Sequence, residues 1–383
     1  MKKIIKFIAC LIVCVMAMTA FVSCDFSLGH TYSYDWEYDE NTHYHACTSE
    51  ACDAKKDVEE HDFEYDDYIE DEGVVYYVEY CSVCFYEKKT EVVGGVLVYD
   101  TESAQAALDA ATDGDVIILY NGYYDTLYIR QTEDSTPVDS NWAGGGHTFL
   151  REFDGVTVMG YGDVSVTGIV LEALTYTPDG NQHSNSATAP YLNSFINISD
   201  LTIKDITFDL DENGTAFNIA HCNTEINGLT IENCVVNGNN GTGRAIYSTA
   251  DTFADVSFID CIFNGLEQGM NINDVQGLTV QGCEFNAVVS RDILVTGPVS
   301  GTVTISGNTS NGGTERFIRM TGVAADATIV LTENTVKNYA GADNDIVKIN
   351  VTATTVVEVS GNDWNGETDD EAKVSGVLNI IVD

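Results

Sequence analysis

The 383-residue sequence contains little positive charge and little proline. Lys and Arg number 17 against 60 Asp and Glu, which gives a formal net charge of −43. A protein that neutralises phosphates needs a basic stripe, so this balance argues against nucleic-acid binding and against electrostatic docking on anionic lipid. Only 4 residues are proline and 33 are glycine. This composition favours β-structure with many turns of positive φ.

Long apolar runs are also scarce, and the one at the N-terminus has the features of an export signal. Three lysines within the first six residues precede an apolar stretch, Phe7–Met18, that is too short to be interpreted first as a membrane span. The segment Phe21–Cys24, with sequence FVSC, resembles a bacterial lipobox. The resemblance implies a signal peptide over residues 1–23 and a lipid on Cys24. We therefore predict an exported protein, lipid-anchored to the bacterial cell surface or membrane, that meets the membrane through this lipid only. A plain secreted protein and an uncleaved anchor are the alternatives.

Residues 24–93 differ in composition from the rest of the chain. They contain four of the seven histidines, and the run Val74–Tyr80 is rich in β-forming residues. We predict a small module of β-hairpins. The segment Trp36–Cys52 resembles a Cys/His-rich module that recurs in bacterial surface proteins.

Cysteine and histidine in this module predict a metal site. Cys47-x4-Cys52 and Cys81-x2-Cys84 have a spacing close to that of a zinc ribbon, in which two knuckles each supply two thiolates to one structural zinc. Any of three histidines could replace one ligand: His43, His45 or His61. His30 lies in the same cluster along the sequence. Because export permits disulfides, disulfide bonds remain open as an alternative, as do unpaired thiols.

Beyond Gly94 the sequence predicts a short helix and then a strand. Alanines recur between Thr101 and Gly114; Thr101 or Ser103 can cap this helix, and Asp113-Gly114 can end it. An alanine-rich helix followed by DGDVIIL and NGYYDTLYI resembles the opening of the pectin-lyase-like superfamily. The resemblance implies an all-β fold over residues 94–383. This fold is a right-handed parallel β-helix, a solenoid whose N-terminal α-helical cap closes the first coil.

An internal repeat supports this solenoid. Seven segments of the same pattern, from Ile203 to Trp364, start 22 to 28 residues apart, a length that suits one coil. Their fourth positions hold Ile206, Cys234, Cys261, Cys283, Asn308, Asn334 and Asn362, and their sixth positions hold Phe208, Val236, Phe263, Phe285, Ser310, Val336 and Trp364. We expect both columns to stack inside the solenoid, with asparagine amides bonding from coil to coil. We interpret the three cysteines as buried thiols, with a disulfide between coils as the alternative.

A further strand on each coil carries an unusual share of the positive charge. We expect its inward residues to be Phe217, Ile246, Met270, Ile293, Ile318 and Val347. The domain has ten Lys and Arg, and five of them fall in two outward columns beside these residues. The candidate ligand-binding residues on this face are Arg244, Arg316, Lys348, Asn271 and His221. The candidate catalytic residues are Arg291, Arg319, Asp251 and Asp274.

The resemblance implies that this face is the binding face of a polysaccharide groove. Arginine pairs with the carboxylates of uronic acids through two hydrogen bonds. One of Arg291 and Arg319 would be the base of a lyase, and Asp251 with Asp274 would be calcium ligands. However, the sequence lacks the paired Asp-Asp, Gly-His-Gly and Arg-Ile-Lys motifs of polygalacturonases and the motifs of pectate lyases. No catalytic residue is therefore carried over by motif.

The function that the sequence favours is binding of an extracellular, acidic polysaccharide, with cleavage by a lyase or glycoside hydrolase left open. The alternative is a non-catalytic adhesin or structural surface protein that uses the β-helix as a rigid scaffold. In that alternative, the basic columns only neutralise part of the negative charge on a very acidic wall of the solenoid. Calcium and structural zinc are the cofactors to test, and no organic cofactor is expected.

Overall fold

A computed structural model describes residues 29–130, 136–139, 148–172, 174–176, 182–184, 194–219, 223–239, 241–248, 252–313, 315–339, 346–350, 355–366, 374–375 and 380–382. The chain divides into two compact units, which we call the N-terminal unit and the β-helix unit. The division falls between Val92 and Val93. Within the described residues, we find no helix with the length and apolar character needed to cross a membrane. The predicted signal peptide and Cys24 lie outside the described residues.

The N-terminal unit contains two antiparallel sheets of three strands each. The first sheet consists of Glu37–Tyr38, Thr42–Ala46 and Lys55–Glu60. The second consists of Phe63–Asp71, Val74–Cys81 and Glu87–Glu91. Every residue of Lys55–Glu60 and of Glu87–Glu91 is exposed. The sheets therefore form with little apolar burial.

The β-helix unit is a parallel β-helix, which confirms the predicted all-β fold. A sheet of twenty strands provides two walls of the coil. The strands of the first wall, from the N-terminal edge of the coil stack, are Gly95–Val98, Val116–Tyr124, Thr157–Val166, Ser194–Lys204, Asn223–Glu232, Thr252–Ile259, Val275–Gln281, Thr302–Ser306, Thr328–Thr332, Val356–Ser360 and Ile380–Val382. The strands of the second wall are Thr207–Asp209, Val235–Asn237, Ile262–Asn264, Glu284–Asn286, Thr309–Asn311, Thr335–Lys337 and Asp363–Trp364. Thr148–Asp154 and Thr136–Asp139 also belong to this sheet, and Leu174–Tyr176 pairs with Gln182–Ser184 in a separate hairpin.

A second parallel sheet forms the remaining wall, and we call it the nine-stranded sheet. Its strands are Leu127–Arg130, Ile169–Glu172, Thr215–Ile219, Arg244–Ser248, Gln268–Ile272, Arg291–Val295, Arg316–Met320, Val347–Ile349 and Val374–Ser375. Each strand pairs with the strand one coil away. The predicted inward column is confirmed, because Phe217, Ile246, Met270, Ile293, Ile318 and Val347 are register partners and all are buried.

The fourth-position column is a continuous line of side-chain hydrogen bonds inside the solenoid. The thiol of Cys234 donates to the carbonyl of Ile203, one coil earlier, at 3.7 Å. The amide of Asn334 donates to the carbonyl of Ile305 at 2.8 Å, in the equivalent place. The same bond is made by Cys261, Cys283, Asn308 and Asn362. Ile206, the first member of the column, has no side-chain donor. Among the described cysteines no disulfide forms, so the buried-thiol interpretation fits the structure.

The helix Thr101–Ala110 packs against the first coils as expected, but its ends differ from the prediction. The N-cap is Asp100, whose carboxylate accepts a hydrogen bond from Ser103 N at 2.8 Å, while the Ser103 hydroxyl accepts one from Asp100 N. Ser103 therefore completes a capping box instead of capping the helix itself. The helix ends at Ala110, ahead of Asp113-Gly114. Gln105 bonds both backbone groups of Tyr128 at the open edge of the nine-stranded sheet, which closes that edge.

Candidate functional site

Basic side chains form two columns on the nine-stranded sheet. Arg291 and Arg316 are register partners on adjacent strands, and so are Arg319 and Lys348. Adjacent strands lie about 4.8 Å apart. Local sequence explains the outward position: in Arg316–Met320 the residues between the two arginines are buried, so each arginine flanks an inward pair. We call the surface formed by Arg244, Arg291, Arg316, Arg319 and Lys348 the basic face.

Two members of the basic face are held by acidic residues of the next coil. Arg244 Nη2 lies 3.5 Å from Glu267 Oε2, and Arg291 Nη2 lies 2.5 Å from Glu315 Oε2. Arg244 also stacks over the ring of Tyr247 at 5.2 Å. Neither glutamate was predicted from the sequence, because each one directly precedes a strand in a connection of variable length. Arg291, a candidate base, is thus engaged in an ion pair.

The other three members have no such pair among the described residues. No described carboxylate lies within ion-pair distance of Arg316, Arg319 or Lys348. The guanidinium and ammonium groups of these residues are carried by two adjacent strands. Leu294, the register partner of Arg319 on the preceding coil, is nearly buried and gives the surface an apolar floor beside the charges. This arrangement can hold a chain of carboxylates against a partly apolar surface.

The predicted catalytic set is not assembled in the described part of the chain. Asp274 lies two residues beyond the strand Gln268–Ile272, in a turn of positive φ, and its carbonyl accepts from Phe253 N at 3.0 Å. Arg291 is at the opposite end, level with Gln268. Asp274 belongs to no cluster of metal-ligating side chains among the described residues. Asp251 and His221 lie outside the described residues, and Asn271 lies level with Leu294, two coils before Arg319.

A buried carboxyl lies directly behind the basic face. Asp292 follows Arg291, points into the solenoid and is 2% exposed. The hydroxyl of Ser310 donates a hydrogen bond to it. Burial raises the pKa of Asp292 to about 8, although the hydrogen bond from Ser310 opposes the shift. The group therefore keeps its proton at neutral pH and cannot act as an anionic ligand to calcium or sugar.

The cysteines and histidines of the N-terminal unit form two clusters, not one four-cysteine site. His43, His61, Cys81 and Cys84 have ligand atoms that all lie within 4.8 Å of one another. His30, Cys47 and Cys52 form the second cluster by the same measure. The expectation that both cysteine pairs share one ion is therefore wrong in geometry, because each pair lies in a different sheet or its turn.

The histidines also differ from the expectation. His43 and His61 join Cys81 and Cys84. His45 instead stacks on Trp36 with ring centroids 4.0 Å apart and joins neither cluster. His30 joins Cys47 and Cys52, because Tyr32 pairs with Cys47 in an isolated β-bridge. Nothing in the spacing of the sequence marks this bridge, so the sequence could not assign His30 to either pair.

Comparisons with known proteins bear on the fold. A family model described as a right-handed β-helix region matches residues 185–364, which agrees with the predicted handedness. The solved structure of the PL6 family alginate lyase AlyGC and that of one of its mutants are similar to this chain at 12% identity, with TM-scores of 0.22 and 0.27. Each match covers 75% of this chain, which spans 40% of the lyase chain. At these TM-scores the likeness supports no conclusion about this chain. No curated protein matches the sequence.

Proposed function

We propose that the β-helix unit binds an extracellular, acidic polysaccharide through the basic face. The observation that supports this most is the group Arg316, Arg319 and Lys348, which adjacent strands present without an ion-pair partner among the described residues. In a chain of net charge −43, such a group attracts an anionic ligand that offers several carboxylates at regular spacing. A linear polyuronate has this chemistry.

Binding should be tested with the full chain against a polyuronate and a neutral glucan of equal length. The double variant Arg319→Ala, Lys348→Ala should lose at least about tenfold in affinity for the polyuronate, since two charge-assisted contacts are removed. The loss should shrink as salt rises. Lys337→Ala is the matched control, because Lys337 is exposed on the second wall. Equal affinity of the double variant and the control would refute this site.

A second function has a specific observation in its favour. The pairs Arg244–Glu267 and Arg291–Glu315 balance charge between neighbouring coils, as a rigid adhesin or scaffold would require. If the full chain binds neither glycan, this scaffold function is the better one. Turnover is tested in the same samples by the ultraviolet absorbance of unsaturated ends and by reducing ends. Products that persist in the presence of a calcium-selective chelator would exclude a calcium-dependent lyase.

We also propose that Cys24 carries a lipid that anchors the protein at the bacterial surface. The lipobox-like FVSC sequence is the support for this proposal. Cys24→Ser should move the protein from the membrane fraction to the soluble fraction. Retention of the variant on membranes, together with a native mass that lacks acyl chains, would contradict it.

A further inference from the structure

The N-terminal unit has too few buried apolar side chains to explain its fold. Across residues 29–92 only Val75, Val78 and Cys81 are buried hydrophobics, and His43 is the one buried polar residue. A unit of this size with so small a core normally depends on disulfides or metal ions. No disulfide joins the four cysteines among these residues. A metal ion in each of the two Cys/His clusters would supply a crosslink of the kind that so small a core needs.

The first cluster connects the two sheets of the unit. His43 belongs to the strand Thr42–Ala46 of the first sheet, and Cys81 ends the strand Val74–Cys81 of the second. Cys84 follows in the turn, and His61 lies between the sheets in sequence. An ion held by these four side chains would fix both sheets to one point.

The separations within the clusters match the edge of a zinc tetrahedron. Zinc–sulfur and zinc–nitrogen bonds of about 2.3 and 2.0–2.1 Å place a nitrogen and a sulfur ligand about 3.6 Å apart. Cys81 Sγ lies 3.6 Å from His43 Nδ1, and Cys84 Sγ lies 3.4 Å from His61 Nδ1. The turn after Cys81 adds backbone N–H donors from Val83 and Cys84 to its sulfur.

A hydrogen bond of the other ring nitrogen orients His61 for this role. His61 Nε2 donates to the carbonyl of Asp39 at 2.8 Å, which leaves the lone pair of Nδ1 facing Cys84. Metal-bound histidines usually give their second N–H to a carbonyl or a carboxylate, as His61 does. His43 Nε2 is buried without a hydrogen-bond partner among the described residues and lies 3.9 Å from Glu59 Oε2, while its Nδ1 faces the sulfur of Cys81.

In the second cluster two sulfurs converge on one nitrogen. His30 Nδ1 lies 3.7 Å from Cys47 Sγ and 3.2 Å from Cys52 Sγ. One nitrogen lone pair accepts a single thiol proton well, so its convergence with two sulfurs fits a shared ion better than hydrogen bonding alone. A disulfide between the two cysteines would leave the position of His30 unexplained. All three residues are half-buried, so solvent can reach a fourth position.

We propose that the N-terminal unit binds two Zn²⁺ ions, one closed by His43, His61, Cys81 and Cys84 and one held by His30, Cys47 and Cys52 with a fourth position open to solvent. Four-coordinate sites with sulfur and imidazole ligands select zinc over calcium or magnesium. The proposal concerns a different unit from the polysaccharide site and stands whether or not the β-helix binds a glycan.

The test is the metal content of the full chain, measured by elemental analysis and native mass spectrometry. We expect two zinc ions per chain. Cys84→Ser and His30→Ala should each lose one, and the two variants should differ in which ion remains. His45→Ala is the matched control, because His45 belongs to neither cluster, and it should keep both. One ion per chain, or none with Cys47, Cys52, Cys81 and Cys84 oxidised in the intact mass, would overturn the proposal.

Cobalt(II) substitution tests the open position and does not depend on the variants folding. Both sites should give the visible absorption of tetrahedral cobalt in the unmodified chain. Added imidazole should shift part of this spectrum, because only the second site has an open position. A two-cobalt spectrum that imidazole leaves unchanged would overturn the open fourth position.

Discussion

The two units of the chain bury apolar surface to very different extents. In the β-helix unit 64 described residues form one continuous buried cluster, whereas in the N-terminal unit three hydrophobic side chains are buried. The β-helix gains its core by repetition, because each coil covers the apolar ends of its neighbours. The described residues of the N-terminal unit form two small sheets without an equivalent core.

The same residue type serves opposite purposes in the two units. Cys234 and Cys261 are fully buried, and their thiols donate to carbonyls of the preceding coil. Burial raises the pKa of Cys234 well above its ordinary value, so this thiol is inert. In the N-terminal unit Cys81 and Cys84 instead face histidine nitrogens. The difference teaches that the partners of a cysteine, and not its burial alone, determine what its sulfur can bind.

The largest stability change in the β-helix should follow loss of a stacked aromatic ring. Phe263 is fully buried and stacks on Phe285 with ring centroids 4.9 Å apart. Phe263→Ala should lower the free energy of unfolding of this unit by about 3–5 kcal/mol, because it leaves a cavity. Denaturant titration measures it. The exposed Tyr123 is the control, and Tyr123→Ala should cost within about 0.5 kcal/mol. Equal costs for the two would mean that stacking does not hold the β-helix.

A smaller effect should come from the asparagine ladder. Asn334 donates to the carbonyl of Ile305 and to Asn362, and it accepts from Asn308. Asn334→Leu leaves these groups buried and unpaired, which should cost about 1–3 kcal/mol. Asn311 is exposed, so in Asn311→Leu water can bond the hydrogen-bonding groups that lose their partner. A neutral result at Asn334 in the same titration would contradict its place in the ladder.

Asp292 makes the stability of the β-helix depend on pH. The folded carboxyl has a pKa of about 8, while the unfolded carboxyl titrates near 3.9. Between these values the unfolded state binds fewer protons, so stability should fall as pH rises, by up to about 1.4 kcal/mol per pH unit. Asp292→Asn should remove this part of the slope. Parallel pH profiles of the variant and the unmodified chain would show that the carboxyl is not protonated in the core.

The smallest effects on stability should occur on the basic face. Arg291→Ala breaks the ion pair with Glu315 and should cost up to about 1 kcal/mol. Lys348→Ala breaks no ion pair among the described residues and should change stability by no more than about 0.5 kcal/mol. Thermal unfolding of both variants separates the two. A larger cost at Lys348 would favour charge balance over ligand binding.

Periodicity explains how much of the β-helix could be predicted. The inward residues Phe217 and Ile318 and the ladder residue Asn334 recur at coil length, and stacking gives each the same environment in every coil. The helix itself was predicted, but its N-cap residue was missed, because Asp100 competes with Thr101 and Ser103 one to three residues away. Local propensity alone does not decide between such neighbours.

The site residues were less predictable because contacts between irregular segments determine them. Glu267 and Glu315 pair with arginines of the preceding coil from connections whose lengths vary. In the N-terminal unit, cysteine spacing gave the ligand types but not their grouping. His30 reaches Cys47 through a single bridge, and no repeat marks it.

Hydrogen exchange on the full chain, with and without a zinc chelator, tests the difference between the units most directly. Metal removal should abolish protection in Thr42–Ala46 and Val74–Cys81, because zinc binding and folding are coupled in so small a unit. The strands Gln268–Ile272 and Arg316–Met320 should keep their protection. Added zinc should restore the protection that the two N-terminal strands had lost. Unchanged protection of the N-terminal strands in a chain shown to be free of metal would contradict the account.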